Sequence, residues 1–183
     1  MTSRRVERLL DALVTRRLTV AVAESLTGGL VLSTLVDAPG ASRALRGGVV
    51  AYATDVKASL LDVDRALLDA QGAVDPLVAR QMAQGAARRL GADLGLATTG
   101  VAGPDPQDGF APGTVFVAAA LGRHVRSLDL TLGGDRSQIR EQARDAVLDL
   151  ALVLVDEVGV PLPPGTTVHG RALGECDGKQ DAE

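Results

Sequence analysis

Short runs of Val, Ala and Leu, each followed by a polar or glycine-rich turn and then by an amphipathic segment, recur along this sequence and constrain it more than any other feature. Residues 18–23 form the first run, bounded by polar positions and too short for most helices, so they read as a buried strand. The chain then passes through Glu24-Ser25-Leu26-Thr27-Gly28-Gly29 before Leu30, Val31, Leu32, Leu35 and Val36 resume an apolar helical face. Residues 47–54, with Val49, Val50 and Tyr52, repeat the pattern ahead of a helix carrying Lys57, Leu60 and Leu61. Asp75-Pro76 pairs a helix-capping residue with proline at the first helical position, and Val78, Met82, Ala86 and Leu90 define a helix that stops at Gly91. Residues 94–99 give a third strand. Buried strands alternating with helices imply a sheet covered on both faces.

The second half changes character. A Gly/Pro-rich loop spans residues 100–113, residues 114–121 form a fourth strand, and Gly122-Arg123 turns the chain. Residues 124–132 alternate Leu128, Leu130 and Leu132 with Asp129 and Thr131, the pattern of a hairpin partner with one less buried face. Amphipathic helices open the chain (Val6, Leu9, Leu10, Leu13, Val14) and close it (from Ile139 through Val147 to Val158). The expected fold is therefore α/β: a single three-layer domain over residues 1–160, with a mixed, mostly parallel sheet of about five strands and helices on both faces. Residues 161–183, polar and aperiodic, read as a disordered tail.

Composition removes several function classes. Aromatic residues are 2% of the 183, so Val, Leu and Ala build the core and base-stacking platforms are absent. The net charge is −4 and no basic face is available to neutralise a run of phosphates, which excludes nucleic acid as a partner. One cysteine, Cys176, and no Cys/His cluster give neither a disulfide framework nor a zinc site, so no metal is expected. No apolar stretch approaches about 18 residues and the first residues lack a signal-peptide core. The expectation is a cytoplasmic protein without a membrane partner.

Nineteen residues are basic, yet only Lys57 and Lys179 are lysines. Arginine stays protonated in proteins, whereas a desolvated lysine can lose its proton near neutral pH. A lysine kept where the chain otherwise uses arginine is a candidate for proton chemistry, although a solvated surface lysine fits the same observation. Ser25 stands at the carboxyl end of a predicted strand and the amino end of a predicted helix, a place for a nucleophile or a phosphate, although Ser and Thr more commonly serve there as helix caps.

Several blocks in order sharpen the reading: Ala23-Glu24-Ser25-Leu26-Thr27-Gly28-Gly29, the stretch from Gly47 through Tyr52 to Lys57, Thr98-Thr99-Gly100-Val101-Ala102-Gly103-Pro104-Asp105, Pro112-Gly113-Thr114-Val115, and Gly134-Asp135-Arg136. Together they resemble the CinA C-terminal domain family, whose enzymatic members are nicotinamide mononucleotide deamidases, over residues 6–158. The resemblance implies a stand-alone amidohydrolase of pyridine-nucleotide salvage, without cofactor, acting on a small-molecule nucleotide. It implies Ser25 as nucleophile and Lys57 as its base, an arrangement that makes sense because a serine hydroxyl attacks poorly until a base removes its proton. Tyr52 would orient the lysine or stack on the nicotinamide, with packing an equal alternative, and Thr99 would hydrogen-bond the pair. Oxyanion donors would come from amides near Thr27, Gly28 and Gly29 or from the Gly100, Ala102 and Gly103 loop. Arg136 and Arg140, one turn apart, would hold the 5'-phosphate, or else pair on the surface with Glu141 or Asp145. Thr54 and Asp75 stand where many members carry Asn and Ser. The resemblance and the apolar balance together imply a homo-oligomer, a dimer first. Two other functions fit the same residues: a catalytically silent nucleotide-binding or interaction module, and a Ser/Lys amidase for another small amide.

Overall fold

Side chains along β1 (Val20–Glu24) sort the layers: Val20 and Val22 join one buried cluster, Ala21 and Ala23 the other. A computed structural model describes residues 4–158 of the chain. The same division continues through the sheet. Leu94 and Leu96 of β3 (Leu94–Gly100) and Val115 and Val117 of β4 (Thr114–Leu121) face the large-residue layer; Ala97, Ala118 and Ala120 face the small-residue layer. The large face is covered by α1 (Arg4–Thr15), α2 (Leu30–Val36) and α6 (Arg136–Val158). The small face carries α3 (Thr54–Leu61), α4 (Arg65–Gln71) and α5 (Pro76–Leu90).

Five strands form one sheet in the order β2-β1-β3-β4-β5, with β2 spanning Leu45–Val50 and β5 His124–Thr131. β1 pairs in parallel with both β2 and β3, while β4 runs antiparallel to β3 and to β5. Four strands thus share one direction and β4 alone is reversed. The three-layer α/β architecture is the one expected from the alternating elements. No residue of the edge strand β5 is fully buried, in line with its alternating sequence.

Two elements were not read from the sequence. The seven-residue α4 shows too little of the helical period to be recognised; Asp64 caps it by accepting from the Ala66 amide. A 3-10 turn at Ala41–Arg43 is shorter still. Strand boundaries also move. β2 ends at Val50 because Tyr52 and Ala53 turn the chain into α3, and β1 extends to Glu24 because that carboxylate finds buried donors, described below. The assignment of residues 161–183 as a tail lies outside the described residues. Among the described residues no helix is long and apolar enough to cross a membrane.

Close helix–sheet approach explains the glycine and alanine face. A Cβ on Gly95 would lie 1.9 Å from the Ala83 carbonyl oxygen of α5, and one on Gly85 would lie 2.1 Å from the Leu61 carbonyl oxygen at the end of α3. These are backbone neighbours that no rotamer change can clear. Gly95→Ala is expected to destabilise the protein by about 1–3 kcal/mol through overpacking, measured by thermal or urea unfolding; an unchanged midpoint would show that α5 can retreat freely.

Candidate active site

The parallel strands β1, β2 and β3 all end on the same edge of the sheet, and β1 sends its chain to one face while β2 sends its chain to the other. A crevice at such a switch in connection is where α/β sheets bind ligands. Here it is a cleft of about 390 Å³, lined by Ser25 after β1, Tyr52 and Lys57 after β2, Thr99 and Gly103 from β3 and its loop, and Arg136 from α6.

Ser25 is fixed by the sheet, its amide donating to the Thr98 carbonyl at 3.0 Å. Lys57 belongs to the first turn of α3. Helical side chains lean toward the amino terminus, which carries its ammonium back over the β2–α3 turn. There Nζ donates to Ser25 Oγ at 3.1 Å, to the Ala51 carbonyl at 2.9 Å and to the Tyr52 carbonyl at 3.1 Å. Lys57 is fully buried, and burial pushes its pKa down from 10.5 to about 8, against a smaller upward pull from the Asp108 carboxylate. Carbonyl oxygens only accept hydrogen bonds. Once Lys57 is neutral, Ala51 and Tyr52 therefore hold its two remaining N–H groups and its lone pair is left for the Ser25 hydroxyl.

Across the mouth of the cleft, Arg136 donates to the Gly103 carbonyl at 2.6 Å and to the Tyr52 hydroxyl at 3.3 Å. Both Tyr52 and Arg136 are solvent-exposed. Gly100 and Ala102 line the cleft with them, and the loop is tied down by Val101, whose amide donates to Thr114 and whose carbonyl accepts from Gly113, both at 2.8 Å. Its tip turns tightly at Asp108-Gly109, with Gln107 and Phe110 exchanging backbone hydrogen bonds and Phe110 set edge-on against Phe116 at 6.3 Å. Thr99 lies in the cleft wall, with its hydroxyl donated to the Ala73 carbonyl at 2.6 Å.

Thr27, Gly28, Gly29 and Arg140 do not line the cleft. They form and brace the nucleophile turn from behind. Thr27 is fully buried against Thr98, their hydroxyls 2.7 Å apart, and Arg140 donates to the Leu26 carbonyl at 3.1 Å and the Thr27 carbonyl at 2.6 Å. Gly28 and Gly29 both take positive φ, 60° and 97°, which lets the turn fold this tightly. Their amides are occupied, Gly28 bonding to the Ser25 carbonyl and Gly29 to the Glu24 carboxylate. Among the described residues the amides of Leu26, Thr27, Ala102 and Gly103 donate to no protein acceptor. Asp75 caps α5 by accepting from the amides of Leu77 and Val78, outside the cleft lining. Among the described residues no His, Cys, Asp and Glu group suits a metal ion. Sequence reasoning passed over Glu24 itself; the available signal was a carboxylate ending an otherwise apolar strand.

Comparison with known proteins gives the family and matches the fold. The model of the CinA C-terminal domain matches residues 3–155. A CinA-like protein of Frankia casuarinae is 49% identical over 159 residues, covering 87% of this chain and 36% of the relative. A putative competence-damage inducible protein of Geobacillus kaustophilus is 46% identical over 134 residues, covering 73% of this chain and 32% of the relative. The chain thus spans about a third of the length of these curated relatives. Among solved structures, a CinA superfamily protein of Klebsiella pneumoniae superposes with a TM-score of 0.82 at 26% identity over 86% of this chain and 99% of its own. One from Escherichia coli gives 0.79 at 29% identity over 85% and 90%. A family match that takes in almost every described residue, together with shared architecture, places this chain in the CinA family as a C-terminal-type domain.

Proposed function

We propose that the protein is a Ser/Lys amidohydrolase that converts nicotinamide mononucleotide to nicotinate mononucleotide and ammonia. The observation that carries this reading is the fully buried Lys57 within hydrogen-bond reach of Ser25 Oγ, at the end of a cleft. Neutral Lys57 takes the Ser25 proton as Oγ attacks the carboxamide carbon. The oxyanion that forms is held by backbone amides not otherwise engaged, Leu26 beside the nucleophile and Ala102 or Gly103 across the cleft. Lys57 then hands its proton to the departing nitrogen, ammonia leaves, and an ester joins Ser25 to the nicotinoyl carbon. A water, deprotonated by Lys57, cleaves the ester and regenerates both residues.

The cleft suits a nucleotide whose pyridine ring is cationic. Asp105 supplies a carboxylate in the lining for the ring charge, and Tyr52 an exposed aromatic face. Arg136 is the cation placed for a 5'-phosphate, since the amides at the start of α2 are already filled by Glu24. Ammonia release from nicotinamide mononucleotide, with free nicotinamide in parallel, tests the reading. Turnover of the nucleotide and little of the free amide is the expected result; a folded protein that releases no ammonia from the nucleotide would refute the substrate assignment. Arg136→Leu is expected to raise KM about 10- to 100-fold with kcat within about threefold, the loss of one charge-assisted phosphate contact. A second reading, a Ser/Lys amidase for a different small amide, draws on the loop after Asp105, which reads Pro106-Gln107-Asp108-Gly109 where the family resemblance implies a Gly-Gly pair.

A further inference from the structure

Glu24 is the one buried acidic side chain among the described residues, 1% exposed, and the mechanism above gives it no role. A carboxylate taken out of water needs strong compensating partners. Here they are backbone amides alone: Gly29 donates to one carboxylate oxygen at 2.9 Å and Val31 to the same oxygen at 3.1 Å, while Leu32 donates to the other at 2.8 Å. No ion pair of Glu24 occurs among the described residues.

The backbone of the same residue closes a circuit around the dyad. The Glu24 carbonyl accepts from the Ala51 amide at 2.8 Å. The Ala51 carbonyl in turn accepts from Lys57 Nζ, and Lys57 donates to Ser25, the residue that follows Glu24. One residue therefore locks the start of α2, the end of β1 and the end of β2, the three pieces of backbone that determine where the nucleophile and its base meet. The carboxylate also closes the tight turn from within, occupying the amides of Gly29, Val31 and Leu32.

We propose that Glu24 is a positioning residue for the Ser25–Lys57 pair, acting through the turn and not through substrate. This rests on the Ser/Lys reading of the site. A glutamine of the same size offers one acceptor and two donors, so in Glu24→Gln an N–H₂ group faces backbone N–H groups and at least one of the three bonds is lost. A small displacement of a catalytic group is enough to cost one to two orders of magnitude in rate.

The experiment compares wild type, Glu24→Gln and Glu24→Asp by the rate at which a fluorophosphonate labels Ser25, and by kcat and KM for nicotinamide mononucleotide, at a temperature where circular dichroism shows each folded. Labelling needs the activated serine but not the nucleotide, which separates this inference from the substrate assignment. The expected result for Glu24→Gln is labelling and kcat both slowed by about 30-fold or more, with KM within about threefold. Glu24→Asp, a shorter carboxylate, should recover part of the loss; if Glu24→Gln does not fold, Glu24→Asp is scored alone and should lie clearly below wild type. Wild-type labelling and kcat in the folded variants would overturn the proposal, as would losses that match the unfolded fraction alone. If wild type labels but does not hydrolyse the nucleotide, the substrate assignment falls and the labelling ratio still decides the role of Glu24. A wild-type Ser25 that resists labelling would overturn the Ser/Lys reading and this inference together.

Discussion

On the proposed Ser/Lys mechanism, Ser25→Ala and Lys57→Met are each expected to reduce nicotinamide mononucleotide turnover by about four orders of magnitude or more, with the double variant losing little beyond either single one. Residues that act as one unit are strongly non-additive, because removing the nucleophile or its base disables the same step. Methionine is the informative replacement for Lys57. It fills nearly the same volume at a fully buried position, so loss of rate is not confused with an emptied cavity. Single-turnover assays with circular dichroism check the expectation. A Lys57→Met protein that still turns over within tenfold of wild type would mean that another group, or water alone, takes the serine proton.

A pH–rate profile reads the state of Lys57 directly. As a base it must be neutral, and its pKa is lowered to about 8, so kcat/KM should rise with unit slope up to about pH 8 and then level. At pH 6 the rate is then about 100-fold below the plateau. The Asp108 carboxylate raises this pKa, so Asp108→Asn should move the break to lower pH. A flat profile from pH 6 to 9 would contradict the assignment, and an upward shift in Asp108→Asn would reverse the sign of the carboxylate's influence. Stability carries the same signature. The folded protein binds fewer protons than the unfolded chain between about pH 8 and 10.5, so the contribution of Lys57 is fully present above 10.5 and is lost as pH falls to 8. It amounts to something on the order of 3 kcal/mol, and Lys57→Met should lack that dependence.

The layered fold was legible in the sequence itself, whereas the pairing of Ser25 with Lys57 was implied by the family resemblance. Val20 and Val22 against Ala21 and Ala23 already display the two faces of β1, and the glycines after Ser25 mark a turn that few other residues permit. Lys57 is conspicuous because arginine replaces lysine nearly everywhere else. Partners that lie far apart along the chain were not legible. Arg140 has a surface arginine's sequence context, yet its guanidinium reaches the carbonyls of Leu26 and Thr27 more than a hundred residues away. Thr99 sits in a strand where threonine needs no further explanation, and its acceptor, the Ala73 carbonyl, belongs to the segment before α5. Glu24 was hidden because a strand-end carboxylate is ordinarily solvated; only the fold shows that α2 begins directly over it.

Gly85 and Gly95 tie the small-residue layer to the position of Lys57. Gly95 lets α5 rest on β3, Gly85 lets α3 rest on α5, and α3 carries Lys57 to a serine held by β1. A methyl group added at either glycine is expected to push α5 or α3 away and so shift Lys57 relative to Ser25, although neither glycine lines the cleft. Catalytic groups tolerate displacements of only about 0.5 Å, which is finer than folding alone requires. On the Ser/Lys reading, a variant that thickens this layer is therefore expected to lose turnover even where it stays folded.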